Sequence, residues 1–219
     1  DNRNGSLDVY TAVSTNSGMT FAAERRMDLG TAAGSSSSFS PAVAANGASA
    51  WVVWIDDRDA GSFDVWMNRT ADHGATWLTG AVQLDQDPLH HDSIEPSVIS
   101  PAAGVVLVGW LDYRFGQPDP YVIRSSDGGA TFAAPIRLDT STTAGASASH
   151  DFDFAASGQL VAAVWSDSRS GATDIYARLL AHAISAPLGG RSVIVENVQG
   201  GAGVVGLEKV ARADKDGST

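Results

Sequence analysis

Four copies of an Asp-x-Arg element hold most of the residues able to do chemistry in this chain: Asp1-Asn2-Arg3, Asp56-Asp57-Arg58, Asp112-Tyr113-Arg114 and Asp167-Ser168-Arg169. A guanidinium is planar, always charged, and donates in a fork that fits a carboxylate bidentately. Each arginine therefore has two kinds of partner open to it. It can bind the carboxylate of a ligand, which makes Arg58, Arg114 and Arg169, with Asp56, Asp112 and Asp167, the candidate ligand-binding residues. It can instead pair with aspartates of its own repeat, such as Asp56 and Asp64 or Asp167 and Asp174, and tie one loop down. The second reading suits the repetition better: a role present in every copy is structural by nature, while a single site breaks the symmetry of its scaffold.

A second group is Asp85-Gln86-Asp87-Pro88-Leu89-His90-His91-Asp92, with His150-Asp151-Phe152-Asp153 in the corresponding place one repeat later. Imidazole and carboxylate together ligate divalent metals, so His90, His91, Asp92 and His150 are the metal candidates. Adjacent histidines point in different directions, however, and an ordinary polar loop is the simpler reading. Asp214-Lys215-Asp216-Gly217 stops short of a twelve-residue calcium loop. No other cofactor is implied.

The elements that must position these residues form a repeat. The leading aspartates of the four Asp-x-Arg elements are 55, 56 and 55 residues apart, the mark of stacked units that need their neighbours to bury their faces. Apolar runs ending in Trp precede three of them: 51–54, 105–110 and 160–165. These are apolar at every position rather than alternating, which predicts short strands covered on both faces, with Trp54, Trp110 and Trp165 in the core. Trp51 and Trp66 are the two tryptophans that could reach a surface and stack on a sugar, although core packing suits Trp66 better.

A second strand follows each Asp-x-Arg element, and a third recurrent element begins four residues past its aromatic. Its copies are Ser14-Thr15-Asn16-Ser17-Gly18-Met19-Thr20-Phe21, Thr70-Ala71-Asp72-His73-Gly74-Ala75-Thr76-Trp77 and Ser125-Ser126-Asp127-Gly128-Gly129-Ala130-Thr131-Phe132. The pattern predicts a hairpin turn in which Asp or Asn accepts backbone N–H bonds, Gly takes a positive φ and the closing aromatic packs beneath. A fourth copy is replaced by residues 180–187.

The Ser/Thr-x-Asp-x-Gly-x-Thr-aromatic element resembles the Asp-box of sialidase-type (BNR-repeat) β-propellers, and the Trp-x-Asp-x-Arg-x-Gly segment is similar to secreted bacterial members of that group. The likeness covers roughly residues 1–180 and makes Asn16, Gly18, Asp72, Gly74, Asp127 and Gly129 structural turn residues. It implies an all-β fold of four-stranded blades, about four repeats of ~55 residues. Rings of this family commonly have more blades, so the ring is expected to be incomplete or completed by a partner, with residues 191–195 and 203–210 as candidate closing strands. Residues 1–210 form the propeller domain on this reading, and 211–219 a solvated tail or linker.

In such a blade the Asp-x-Arg loops and the segment 85–95 share the end that family enzymes use for substrate, and the Asp-boxes lie at the other. The resemblance suggests a guanidinium ring for a substrate carboxylate or sugar hydroxyls. A sialidase also needs an Arg-Ile-Pro-like segment, a Tyr–Glu nucleophile pair and an acid/base Asp. No Arg-x-Pro occurs here, and only Glu24, Glu95, Glu196 and Glu208 are available. The leading expectation is therefore a non-catalytic glycan- or protein-binding or structural module. The alternative is a glycoside hydrolase of the sialidase type, with the arginine cluster binding a substrate carboxylate; a different glycosidase could work through two carboxylates across the axis.

With 25 acidic residues against 14 basic ones, a net charge of −11 makes nucleic acid an unsuitable partner. No apolar run approaches the roughly 18 residues of a membrane span, and there is no cysteine. A secreted, periplasmic or cell-surface protein is expected, with oligomer formation as a means of covering open sheet edges.

Overall fold

The Trp-ended apolar runs form the second strand of each of three sheets. The structure, a computed structural model, describes residues 1–179 apart from 60, 141, 159 and 172. Four antiparallel sheets and no helix are present among the described residues. β1 (Tyr10–Thr11) pairs with β2 (Arg25–Arg26). β3 (Ser38–Asn46), β4 (Ser49–Asp56), β5 (Asp64–Thr70) and β6 (Val82–Gln83) form the second sheet in chain order. β7 (Ser93–Ala102), β8 (Val105–Asp112), β9 (Asp119–Ser125) and β10 (Ile136–Arg137) form the third, and β11 (Ser149–Ser157), β12 (Leu160–Asp167) and β13 (Asp174–Leu179) the fourth. Two repeats thus contain four strands each. The expected features at 180–187, 191–195, 203–210 and 211–219 lie outside the described residues.

β4 and β8 are buried along almost their whole length, as non-alternating apolar strands require when sheets cover both faces. Trp54, Trp110 and Trp165 lie one in each of three hydrophobic clusters. Trp51 is 1% exposed and donates from Nε1 to the Gly128 carbonyl at 2.9 Å, so it is not a sugar-stacking residue. Trp66 is half-buried beneath the Arg58 guanidinium, 4.2 Å from its ring centre, which likewise closes it to a ligand. The first strands are less buried than the second. β3 alternates, with Val43 exposed, because only part of its surface meets a neighbouring sheet. β3 packs against β7, and β7 against β11.

Register places the chemistry at one end. Asp56 faces Asp64, Asp112 faces Asp119 and Asp167 faces Asp174 across the strands that bracket each Asp-x-Arg loop. The Asp-box hairpins leave from the opposite ends of β5 and β9, at Thr70 and Ser125. There Asn16, Asp72 and Asp127 each accept the backbone N–H of the Thr four residues on, at 2.8–2.9 Å, and Gly18, Gly74 and Gly129 have φ of 82°, 84° and 84°. Trp77 and Phe132 pack against clusters shared between their own repeat and the preceding one. Phe21 does not pack beneath its turn: it is 64% exposed, since no preceding sheet lies under it among the described residues.

Candidate functional site

Three of the four recurrent arginines, Arg58, Arg114 and Arg169, seal a seam between sheets. Arg58 donates from Nη2 to Asp56 Oδ2 at 2.6 Å and from Nη1 to the Leu29 carbonyl at 3.0 Å. Arg114 holds Asp112 through Nε at 2.8 Å and Nη2 at 2.5 Å, and reaches the Asp85 carbonyl at 3.3 Å. Arg169 pairs with Asp167 at 2.8 Å and with Asp139 at 2.9 Å. Arg58, Arg114 and Arg169 thereby bind the loop of one repeat to the end of the fourth strand of the repeat before it. Arg3 instead pairs within its own repeat, with Asp1 and Glu24.

The side chains of Arg58, Arg114 and Arg169 are 7%, 21% and 14% exposed, and those of Asp56, Asp112 and Asp167 at most 1%. Burial pushes the Asp56 and Asp167 carboxyls up, but the arginine and serine bonds outweigh it, and both lie below the usual range. The expected pairing with the second aspartate of the loop does not occur at Asp64. That residue faces Asp56 across the sheet, while the arginine reaches back to the preceding sheet.

The histidine candidates are not gathered. His91 Nδ1 lies 2.6 Å from Asp87 Oδ2, His90 is exposed at a φ of 53°, and Asp92 Oδ1 accepts the Phe63 N–H at 3.0 Å. His150 is exposed on β11, and its carbonyl accepts from Ser166 Oγ. Among the described residues no three His, Cys, Asp or Glu side chains are grouped to hold a metal.

An open acidic edge lies at the same end. Each first strand has a bulge two residues past its buried serine, where the chain takes a positive φ at a non-glycine residue: Ser40 (52°), Glu95 (52°) and Asp151 (53°). Bulges that re-aim a side chain recur beside functional sites. Glu95 Oε2 crosses to the neighbouring sheet and accepts the Phe152 N–H at 3.2 Å. Asp151 Oδ2 accepts from Ser166 Oγ at 2.9 Å, and Asp153 Oδ1 from Ser97 Oγ at 3.4 Å.

Tyr113 stands beside this edge, in the position held by Asp57 and Ser168 in the flanking repeats. Those two serve as short caps, accepting the N–H of Ser37 and Ala148. Burial, then the charges of Glu95 and Asp92, pushes the Tyr113 phenol above its ordinary range. The scaffold's symmetry is broken here by a phenol among carboxylates, able to accept from and donate to hydroxyl groups.

The sequence reading left Glu95 unpaired with any tyrosine, noted Asp151 and Asp153 only beside His150, and did not weigh Ser40, Ser166 or Tyr113. A usable signal existed, in that Ser40, Glu95 and Asp151 each stand two residues after a recurrent serine.

No protein-family model and no curated protein sequence matches the chain. Solved structures similar to it include two glycoside hydrolases. One is the Hadza microbial sialidase Hz136, with a TM-score of 0.53 at 16% identity over 80% of this chain and 38% of that one. The other is Zg3597, a family 117 glycoside hydrolase produced by the marine bacterium Zobellia galactanivorans, with a TM-score of 0.51 at 9% identity over 82% and 60%. The fold is shared with these glycoside hydrolases. The chain spans less than two thirds of the length of either.

Proposed function

We propose that the chain is a run of blades from a sialidase-like β-propeller whose open acidic edge, at Glu95, Tyr113, Asp151 and Asp153, binds uncharged glycan without hydrolysing it. One observation carries this reading. Arg58, Arg114 and Arg169 are spent in buried ion pairs, while the carboxylates of Asp92, Asp151 and Asp153 at the same end are exposed, with Glu95 and Tyr113 half-buried beside them. Carboxylates accept from sugar hydroxyls and repel an anionic sugar. Arg58, Arg114 and Arg169 then serve structure, not ligand.

The blade assignment draws support from the two four-stranded meanders and the mutual packing of first strands. Further blades, or a protein partner, complete the ring and cover exposed Leu160, Val164 and Ile175. The module works in a secreted, periplasmic or cell-surface setting.

A glycoside hydrolase is the second reading, favoured by the carboxylates of Glu95 and Asp92 beside Tyr113. Isothermal titration with neutral and sialylated oligosaccharides, alongside aryl glycoside assays, separates the two. Binding is expected for neutral sugars and to weaken about tenfold or more in Glu95→Gln, the scale of one charge-assisted hydrogen bond. Release of the aryl group would establish the hydrolase instead. Binding of sialylated sugars alone would overturn the charge argument.

A further inference from the structure

Gln83 stands where the flanking repeats have Arg26 and Arg137, and the exchange leaves buried carboxylates without a counter-charge. In the first repeat Asp8 accepts the Gly34 N–H at 3.0 Å and Asn4 Nδ2 at 2.6 Å, with Arg26 at 3.6 Å. In the third, Asp119 accepts the Gly145 N–H at 2.8 Å and pairs with Arg137 at 3.3 Å. Asp64 is the equivalent residue between them. It is fully buried, neither of its oxygens makes a well-formed hydrogen bond, and the side-chain donor beside it is the neutral Gln83 carboxamide. The loop amide that would serve it, that of Leu89, is bonded to Asp87 Oδ1 at 3.0 Å.

A second carboxylate shares the deficit. Trp66 pairs with Gln83, so the next step but one in register sets Asp64 beside Asp85. Asp85 Oδ2 accepts the Val65 N–H at 3.0 Å, but its Oδ1 is buried and unpartnered. Where Asp139 meets Arg169 at 2.9 Å, Asp85 offers Arg114 only its backbone carbonyl. The buried Ser93 hydroxyl lies beside Asp85 but makes no well-formed hydrogen bond, whereas its counterparts Ser38 and Ser149 donate to Asp56 and Asp167. Burial first, then the charges of Asp85, Asp59 and Asp87, pushes the Asp64 carboxyl up to about 7.

Two adjacent carboxylates out of water are neutralised either by taking up a proton, as the raised Asp64 carboxyl can, or by a bound cation. The unpartnered atoms are all oxygens, which suit a hard cation, and two carboxylates neutralise one divalent ion. We propose that Asp64 and Asp85, with the Ser93 hydroxyl and the Gln83 carboxamide oxygen, bind a hard divalent cation of the calcium type, replacing the arginine of the flanking repeats. The remaining ligands are neutral oxygens, in keeping with the absence of a third grouped carboxylate or imidazole among the described residues.

The test uses the full chain, stripped with EDTA and titrated with CaCl2 by calorimetry and thermal unfolding. One ion is expected to bind per chain and raise the Tm, and Asp64→Asn should weaken binding about tenfold or more, since ligand charge sets the affinity of such sites. Gln83→Arg should restore the in-chain cation, abolish the calcium response and unfold in EDTA no lower than the wild type. If Asp64→Asn fails to fold, Gln83→Arg carries the test. No heat and no shift at about 10 mM CaCl2, above the weakest extracellular calcium sites, would overturn the proposal. So would an equal response to NaCl at matched ionic strength, or a Gln83→Arg variant that binds calcium like the wild type.

Discussion

Arg169 reaches Asp139 at 2.9 Å, so the loop after β12 is fastened two residues past the last strand of the preceding sheet. The same guanidinium holds Asp167 at 2.8 Å. Arg58 and Arg114 make the equivalent crossing to backbone carbonyls, at Leu29 and Asp85. Recurrent arginine is a means of joining one repeat to the next.

Arg169→Ala is expected to cost about 3–5 kcal/mol, because it strands two fully buried carboxylates in the absence of their cation. Arg169→Lys should recover only part of this, since a point ammonium cannot reproduce the fork. Urea denaturation followed by tryptophan fluorescence measures both. A loss below about 1 kcal/mol, the range of exposed pairs, would remove the seam from the stability argument.

Acid should loosen the Asp-box turns in a definite window. The Thr76 hydroxyl, the Thr76 N–H and the Thr70 hydroxyl hold Asp72 down to about 2, from an ordinary 3.8. A carboxyl depressed on folding stabilises above its unfolded pKa and loses that contribution as pH falls through the folded value. Wild-type stability should therefore drop between about pH 4 and pH 2, and Asp72→Asn should flatten that part of the profile.

Trp51→Phe tests the bond from one sheet to the next repeat's turn. The ring's apolar surface is largely kept while the Gly128 carbonyl loses its donor at 2.9 Å. A loss of about 1–3 kcal/mol is expected, the cost of an unmet buried polar group plus the smaller ring. Hydrogen exchange should rise at residues 126–130, and unchanged exchange there would show that the turn holds without the indole.

Gly145→Ala should be among the most damaging small substitutions. Gly145 has a φ of 68°, and a Cβ there would overlap the Phe115 carbonyl oxygen, which is backbone and has no rotamer to change. Gly5→Ala, at a φ of 107° with open space around it, carries the backbone cost alone, about 1–2 kcal/mol. Thermal unfolding of the two variants separates clash from conformational strain.

Local pattern determined much of this protein from sequence. The ~55-residue period, the unbroken apolar runs and the Asp-box spacing each act over a few neighbouring residues, so the buried second strands and the turns could be read directly, while the division of loops between two ends followed from the resemblance to sialidase-type propellers. The Asp-x-Arg loops showed as paired charges for the same reason. Their second partners did not, because Asp28, Asp85 and Asp139 lie about 30 residues back and meet the next loop only through sheet packing. Tertiary structure alone brought the carboxylates of Glu95 and Asp92 to Tyr113, and it alone gave Gln83 its meaning. The weight of an arginine-to-glutamine exchange depends on which carboxylates burial has deprived of water, and burial is a property of the packed sheets.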